Sequence, residues 1–179
     1  MTFLSTLLIG FQLGITSPAV GPSALPLDQW LPEPTDQLIV DTENNSGTLR
    51  HNNGDTLSFA VVTGQKRTVR YIGRVYNART PERQWIAKNK EVKGDRVTFG
   101  PRGIFLRLYN DNGETETAYG IHGHRDSDEM LGQEKRFRSM GCIIVSEEIL
   151  DVILRTFDVS GGAMPVTTMH GKEKVNPEI

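Results

Sequence analysis

The chain has 179 residues, 37% of them hydrophobic and 23% charged, with a formal net charge of −2. That length suffices for one domain with a real core. The balance excludes a disordered chain and also a nucleic-acid binder, which needs a clustered cationic face; the runs 67–70 and 135–138 are too short to supply one.

Residues 3–15 are mostly apolar and then meet Ser17, Pro18 and Ala19. The length suits the hydrophobic region of an export signal and is too short to span a bilayer comfortably. No Lys or Arg precedes it, so a buried helix or a peripheral membrane contact stays open as an alternative. Residues 16–35 are rich in Pro, Ser and Gly and read as an extended linker, because Pro at this density cannot feed a sheet. The expected division is a signal or anchor segment plus linker over 1–35, a folded domain over 36–170 and a tail over 171–179.

Eighteen glycines and nine prolines imply many turns, which favours strands over a helical bundle. Leu38, Ile39 and Val40 form the first strand candidate. Residues 48–51 and 56–62 read as a hairpin around Asn53-Gly54, a pair that tolerates positive φ. Thr63-Gly64-Gln65 ends its second strand. Residues 69–76 and 97–99 are further strand candidates. Over 104–109 the pattern alternates, with Ile104, Leu106 and Leu108 on one face and Phe105, Arg107 and Tyr109 on the other. Asp111-Asn112-Gly113 makes a turn, and 118–122 is the strand that follows it. Residues 123–138 are polar, carry both signs of charge and read as a long loop; a loop of that length inside a compact domain is often functional. After Ile143, Ile144 and Val145, Ser146 caps a helix whose first turn holds Glu147 and Glu148. Gly161-Gly162 closes that helix and 165–169 is the last strand. The expected fold is mainly β with this one helix.

Two pieces can carry chemistry: Tyr119-Gly120-Ile121-His122-Gly123 and Ser139-Met140-Gly141-Cys142-Ile143. With one cysteine, no internal disulfide forms. A thiol needs a base or a positive neighbour to act as a nucleophile near neutral pH, and His122 at a strand end can serve Cys142 if the fold joins them. Gly141 permits a tight turn and close substrate approach, and amides near Gly141 and Cys142 can bind an oxyanion. The competing readings are a buried structural cysteine and a zinc site on His122, His124 and Cys142. The zinc spacing matches no common motif. His51 and His170 read as surface residues, and Trp85 and Tyr119 as core.

The two pieces resemble the signature of the L,D-transpeptidase catalytic domain (YkuD): a His-Gly pair, a variable loop, then Ser/Thr-His-Gly-Cys. Here His122-Gly123 precedes Ser139 and Gly141-Cys142. Residues 38–64 are similar to that family's first hairpin and end in Thr63-Gly64. Thr80-Pro81 and the Gly100-Pro101-Arg102-Gly103-Ile104 stretch stand where the family has their like. The similarity spans about 37–169. Two positions depart: Met140 replaces the family's second His, and Ile144 replaces an Arg after Gly-Cys-Ile.

The resemblance implies a mixed β-barrel or sandwich and an acyl-transfer enzyme acting on peptidoglycan stem peptides. Cys142 is then the nucleophile and His122 the base. Gly123 orients His122 through its carbonyl, and Ser139 and Gly141 shape the pocket. Tyr119, His124, Arg136, Arg138 and Met140 are substrate-contact candidates, with Arg136 or Arg138 standing in for the absent Arg. No metal or organic cofactor is implied, and 123–138 is a candidate lid. The family's setting implies export to the periplasm or cell envelope. A secreted effector acting on a rival's wall and a non-catalytic peptidoglycan-binding domain remain the alternatives. The sequence is silent on oligomeric state.

Overall fold

The computed structural model describes residues 21–171 apart from Ile72. The expected export segment over 3–15 lies outside those residues, as does the tail beyond Gly171. No helix among the described residues is long and apolar enough to cross a membrane.

The domain is built on one mixed eight-stranded sheet. Its strands are β1 (Gln37–Asp41), β2 (Ser46–Arg50), β3 (Thr56–Ala60), β7 (Arg83–Val92), β8 (Ile104–Asn110), β9 (Glu116–His122), β11 (Ile143–Ile144) and β12 (Ala163–Met169). They lie in the order β11-β9-β8-β7-β12-β1-β2-β3. Two pairings are parallel, β1 with β12 and β11 with β9; the others are antiparallel. Two more short sheets complete the β structure: β4 (Thr63–Gly64) with β10 (Phe137–Ser139), and the hairpin β5 (Thr68–Tyr71) with β6 (Arg74–Asn77).

The sheet curls until its edges meet. Just beyond β3, Val62 exchanges both backbone hydrogen bonds with Ile144 of β11, each 2.9 Å. The β4–β10 pair stitches the same seam. Closure of this kind removes sheet edges that would otherwise present unpaired amides. The concave side is filled by α2 (Glu147–Val159), whose Ile149, Leu150, Val152, Ile153, Leu154 and Phe157 are buried. Ser146 caps it as expected, accepting from the Ile149 amide at 3.3 Å. These residues meet Leu38, Val40, Leu106, Leu108, Met164 and Val166 in one core.

Several sequence expectations are corrected. Residues 69–76 form the β5–β6 hairpin rather than one strand, with a turn at Gly73 (φ 73°). Thr63-Gly64 does not continue β3 but pairs with β10. Residues 97–99 are turn. The loop over 123–138 contains a short helix, α1 (Ser127–Leu131), and the start of β10. The sequence reading passed over β7, the longest strand. Its middle, Lys88-Asn89-Lys90, is a continuous exposed run, and Asn89 sits at φ 75° where the register with β8 shifts, so the alternation breaks mid-strand.

The Pro-rich stretch is also not a free linker over its described part. Leu25 donates to the Thr56 carbonyl (2.7 Å) and Thr56 to that of Ser23 (2.9 Å). Trp30 is 2% exposed and stacks on His51 with ring centroids 3.7 Å apart. His51, expected at the surface, is buried, and its Nδ1 lies 2.6 Å from an Asp36 oxygen. Pro limits this stretch to a single parallel bridge, Ala24 with Thr56 of β3, while Leu25, Leu27 and Trp30 pack against the core. Trp30→Ala is therefore expected to lower the unfolding free energy by about 3–5 kcal/mol in urea denaturation. A loss under about 1 kcal/mol would show that the segment is a passive linker.

Candidate active site

Strand β9 ends at His122, which pairs with Phe105 of β8 on one side and Ile144 of β11 on the other. Cys142 immediately precedes β11, two residues before Ile144. Side chains two apart on a strand share a face. The parallel register thus puts Cys142, Ile144 and His122 on the same side. All three line one cavity of about 500 Å³, together with Phe99, Phe105, Arg107, His124 and Met140. Cys142 also borders a second cavity of about 650 Å³, walled by Tyr71, Arg74, Tyr76, Tyr119 and Met140. The cysteine thus sits where two clefts meet, with the β5–β6 hairpin forming one wall.

The turn that carries Cys142 is fixed by hydroxyls. Ser139 Oγ accepts from the Gly141 amide (3.1 Å) and donates to the Cys142 carbonyl (2.6 Å). Thr80 Oγ1 accepts from the Gly64 amide (2.9 Å) and donates to the Gly141 carbonyl (3.0 Å). Tyr76 reaches the Met140 carbonyl at 3.4 Å. Gly141 has φ +114°, and a Cβ there would fall 2.6 Å from a Tyr119 ring carbon. Both the backbone angle and the close ring require glycine.

His122 is buried at 3% exposure, with Phe99 and Phe105 ring centroids 5.1 and 5.8 Å away. Its Nδ1 lies 2.6 Å from the Gly123 carbonyl. A carbonyl only accepts, so Nδ1 carries the proton and the neutral ring keeps its lone pair on Nε2. Burial pushes the imidazole pKa down to about 4; the Gly123 carbonyl and, more weakly, the Thr98 backbone oppose this, and nearby His124 adds to it. Burial pushes the Cys142 thiol up to about 11, against smaller pulls from the Gly120 amide and Arg107. Part of the residue remains open to solvent, but protein surrounds the sulfur on most sides, and that sets its titration. At neutral pH the resting pair is therefore thiol and imidazole, with thiolate and imidazolium a minor species.

The remaining sequence candidates divide. Gly123 supplies the carbonyl that holds His122, and a Cβ there would meet Glu147 Oε1 at 2.1 Å. His124 lines the inner cavity, its Nδ1 accepting from the Asp126 amide at 3.0 Å. Met140 borders both cavities and Tyr119 the outer one. Arg138 stands at the rim of the inner cavity. Arg136 does not belong to the site: its guanidinium is taken up by the carbonyls of Val61, Gln133, Asn44 and Asn45, at 3.2–3.3 Å. The Gly141 amide, expected to face an oxyanion, is instead committed to Ser139. His122, His124 and Cys142 do not form a metal-binding group. Among the described residues, the group close enough to share an ion is Glu33, Asp36 and His51.

The sequence does not single out Arg107, Phe99 and Phe105, which line the inner cavity. Arg107 donates to both Glu91 oxygens, holding that carboxyl down at about 2. The alternation over 104–109 had placed Phe105 and Arg107 on one face; that this face lines a cavity follows only from the curl of the sheet.

The His122 shift has a consequence for stability. Its folded pKa, about 4, lies below the unfolded value of 6.5. Between these values the unfolded chain binds the extra proton, so stability is full above about pH 6.5 and falls as pH drops toward 4. The expected loss from this group is about 3 kcal/mol. Urea melts across that window should show a shallower decline in His122→Asn; an identical slope would contradict the buried neutral imidazole.

The sequence profile of the L,D-transpeptidase catalytic domain (YkuD) matches residues 35–166. No curated protein matches the chain. Among solved structures, Bd1075 of Bdellovibrio bacteriovorus is 14% identical, with a TM-score of 0.53 over 78% of this chain and 50% of its own. The avibactam carbamoyl enzyme of Ldtfm is 18% identical, with a TM-score of 0.52 over 77% of this chain and 50% of its own. The chain thus covers about half the length of each, and the likeness is one of fold.

Proposed function

The chain belongs to the L,D-transpeptidase catalytic-domain family, and from that premise we propose that Cys142 and His122 transfer acyl groups between peptidoglycan stem peptides. The observation that carries this is the cavity lined by both Cys142 and His122, with His122 Nδ1 held by the Gly123 carbonyl so that the ring's lone pair stays on Nε2. Cys142 sulfur attacks the carbonyl carbon between the third and fourth residues of a stem tetrapeptide while its proton passes to His122 Nε2. The tetrahedral oxyanion draws on the Cys142 amide, since that of Gly141 is spent on Ser139. The C–N bond then breaks, and the proton on Nε2 goes to the leaving D-alanine amine, giving a thioester on Cys142. An acceptor amine attacks the thioester, His122 takes its proton, and the departing thiolate recovers that proton. With a second stem as acceptor, the product is a 3→3 cross-link.

The two clefts meeting at Cys142 suit a reaction with a donor and an acceptor on either side of one sulfur. Cavity walls of Phe99 and Phe105 exclude water from His122, and this favours amine over water at the second step. Because the substrate lies outside the cytoplasm, the proposal includes export, with residues 3–15 as the export or anchoring segment.

Product analysis tests the reading. The full chain incubated with disaccharide-tetrapeptide should yield a dimer with loss of one D-alanine, and Cys142→Ala should yield none. Tripeptide without dimer would assign water as the acceptor, the outcome fitting a hydrolytic effector. Unchanged substrate with wild-type protein would overturn the catalytic reading and leave a peptidoglycan-binding domain.

A further inference from the structure

The inner cavity does not end at its rim. Beside it, the β4–β10 pair sets Thr63 against Phe137 and Gly64 against Ser139, and the Gln65 amide donates to the Ser139 carbonyl at 3.0 Å. This brings Gln65, Lys66 and Arg67 alongside Phe137 and Arg138 around a groove of about 520 Å³. Arg138 lines both the groove and the Cys142 cavity, so the two are continuous through its side chain.

The groove is cationic with no internal compensation. The sequence has no Asp or Glu from residue 56 to 81, and no carboxylate lines either space. Elsewhere, Lys90, Lys93, Arg102, Arg107 and Arg125 each pair with an acid. Among the described residues, Lys66, Arg67 and Arg138 make no ion pair. Lys66 lies over the Phe137 ring at 3.9 Å, Arg67 donates to Gln65 Oε1 at 2.8 Å and Arg138 to Gln133 Oε1 at 3.0 Å. The acid whose charge Arg138 feels, Asp126, is engaged by Arg125 at 3.1 Å. Meanwhile Ile144 stands at the cavity wall, so the strand beside Cys142 offers no cation of its own.

We propose that Lys66, Arg67 and Arg138 form a subsite for carboxylates on the acyl-donor peptide, and that the chain selects stems whose side-chain carboxyls are free over stems in which they are carboxamides. This rests on the reading of Cys142 as the acyl acceptor from that peptide. A donor seated at Cys142 whose earlier residues run from the inner cavity into the groove passes Arg138, which lines both. Each free carboxyl there meets a guanidinium or ammonium with unused donors, and a carboxamide does not.

The test uses the full-length Cys142→Ala chain and two synthetic tetrapeptide stems that differ only in carrying carboxylates or carboxamides at their second and third residues. Titration calorimetry should show the carboxylate stem binding about tenfold tighter or more at low salt, with the gap narrowing as salt screens the charges. Adding Arg138→Gln, or Lys66→Gln with Arg67→Gln, should remove most of that gap. Equal binding of the two stems, tighter binding of the carboxamide stem, or a gap that survives all three substitutions would overturn the subsite. Selective binding of the carboxylate stem by this variant, with no turnover of it by wild-type protein, would support the subsite and count against the acyl-transfer reading alone.

Discussion

Parallel pairing of the two-residue strand β11 with the end of β9 is the constraint on which the site depends. It fixes Ile144 beside His122 and so sets Cys142 on the same face, in the same cavity. A two-residue strand cannot hold that register on its own. It is held because Val62 bonds Ile144 from the other side, and because Val145 donates to the His122 carbonyl at 3.1 Å. The closure of the sheet and the construction of the site are thus one event: the seam that joins the two edges is also the strand that carries the thiol. The hydroxyls of Ser139 and Thr80 extend this order into the turn, where no ladder could reach.

Closing the sheet there has an electrostatic consequence. The seam and the turn bearing Phe99 bury both reactive groups, and burial disfavours the charged form of each. The thiol rises to about 11 and the imidazole falls to about 4. The pair is therefore not a resting ion pair; in the proposed mechanism it is a donor and an acceptor that exchange a proton when charge develops on a substrate carbonyl. His122 is prepared for this by its Nδ1 contact with Gly123, which fixes the ring's orientation and leaves Nε2 as acceptor. Glu147, ion-paired with Arg102 at 2.8 Å, presses against the Gly123 backbone from the start of α2. The helix after the cysteine therefore braces the carbonyl that orients the histidine.

Much of this was legible in the sequence where the signal was local. The β2–β3 hairpin followed from Asn53-Gly54, and α2 from Ser146, its acidic first turn and its apolar stripe. Cys142 and His122 stand out through their glycine-flanked motifs, and the structure sets both on one cavity. What was not legible depends on contacts distant in sequence. Strand β7 looks polar because its middle is the exposed run Lys88-Asn89-Lys90, and only its neighbours β8 and β12 reveal it as central. His51 reads as a surface residue until Asp36 and Trp30 fold onto it. Arg136 and Arg138 look equivalent in sequence and, two apart, would share a face of a regular strand; yet the β10 register against β4 shifts between Phe137 and Ser139, and Arg136 is taken up by backbone carbonyls while Arg138 lines the cavity. The Thr80 hydroxyl could be placed by resemblance, but its bridge between Gly64 and Gly141 exists only in three dimensions.

The account comes down to a covalent bond on one sulfur. The most direct measurement is intact-mass spectrometry of the full chain, quenched soon after mixing with a stem tetrapeptide. The account predicts a transient adduct equal to the tripeptide acyl group, mapped to Cys142 and missing from Cys142→Ala. Turnover of the peptide without such an adduct, or an adduct that persists in the alanine variant, would contradict it.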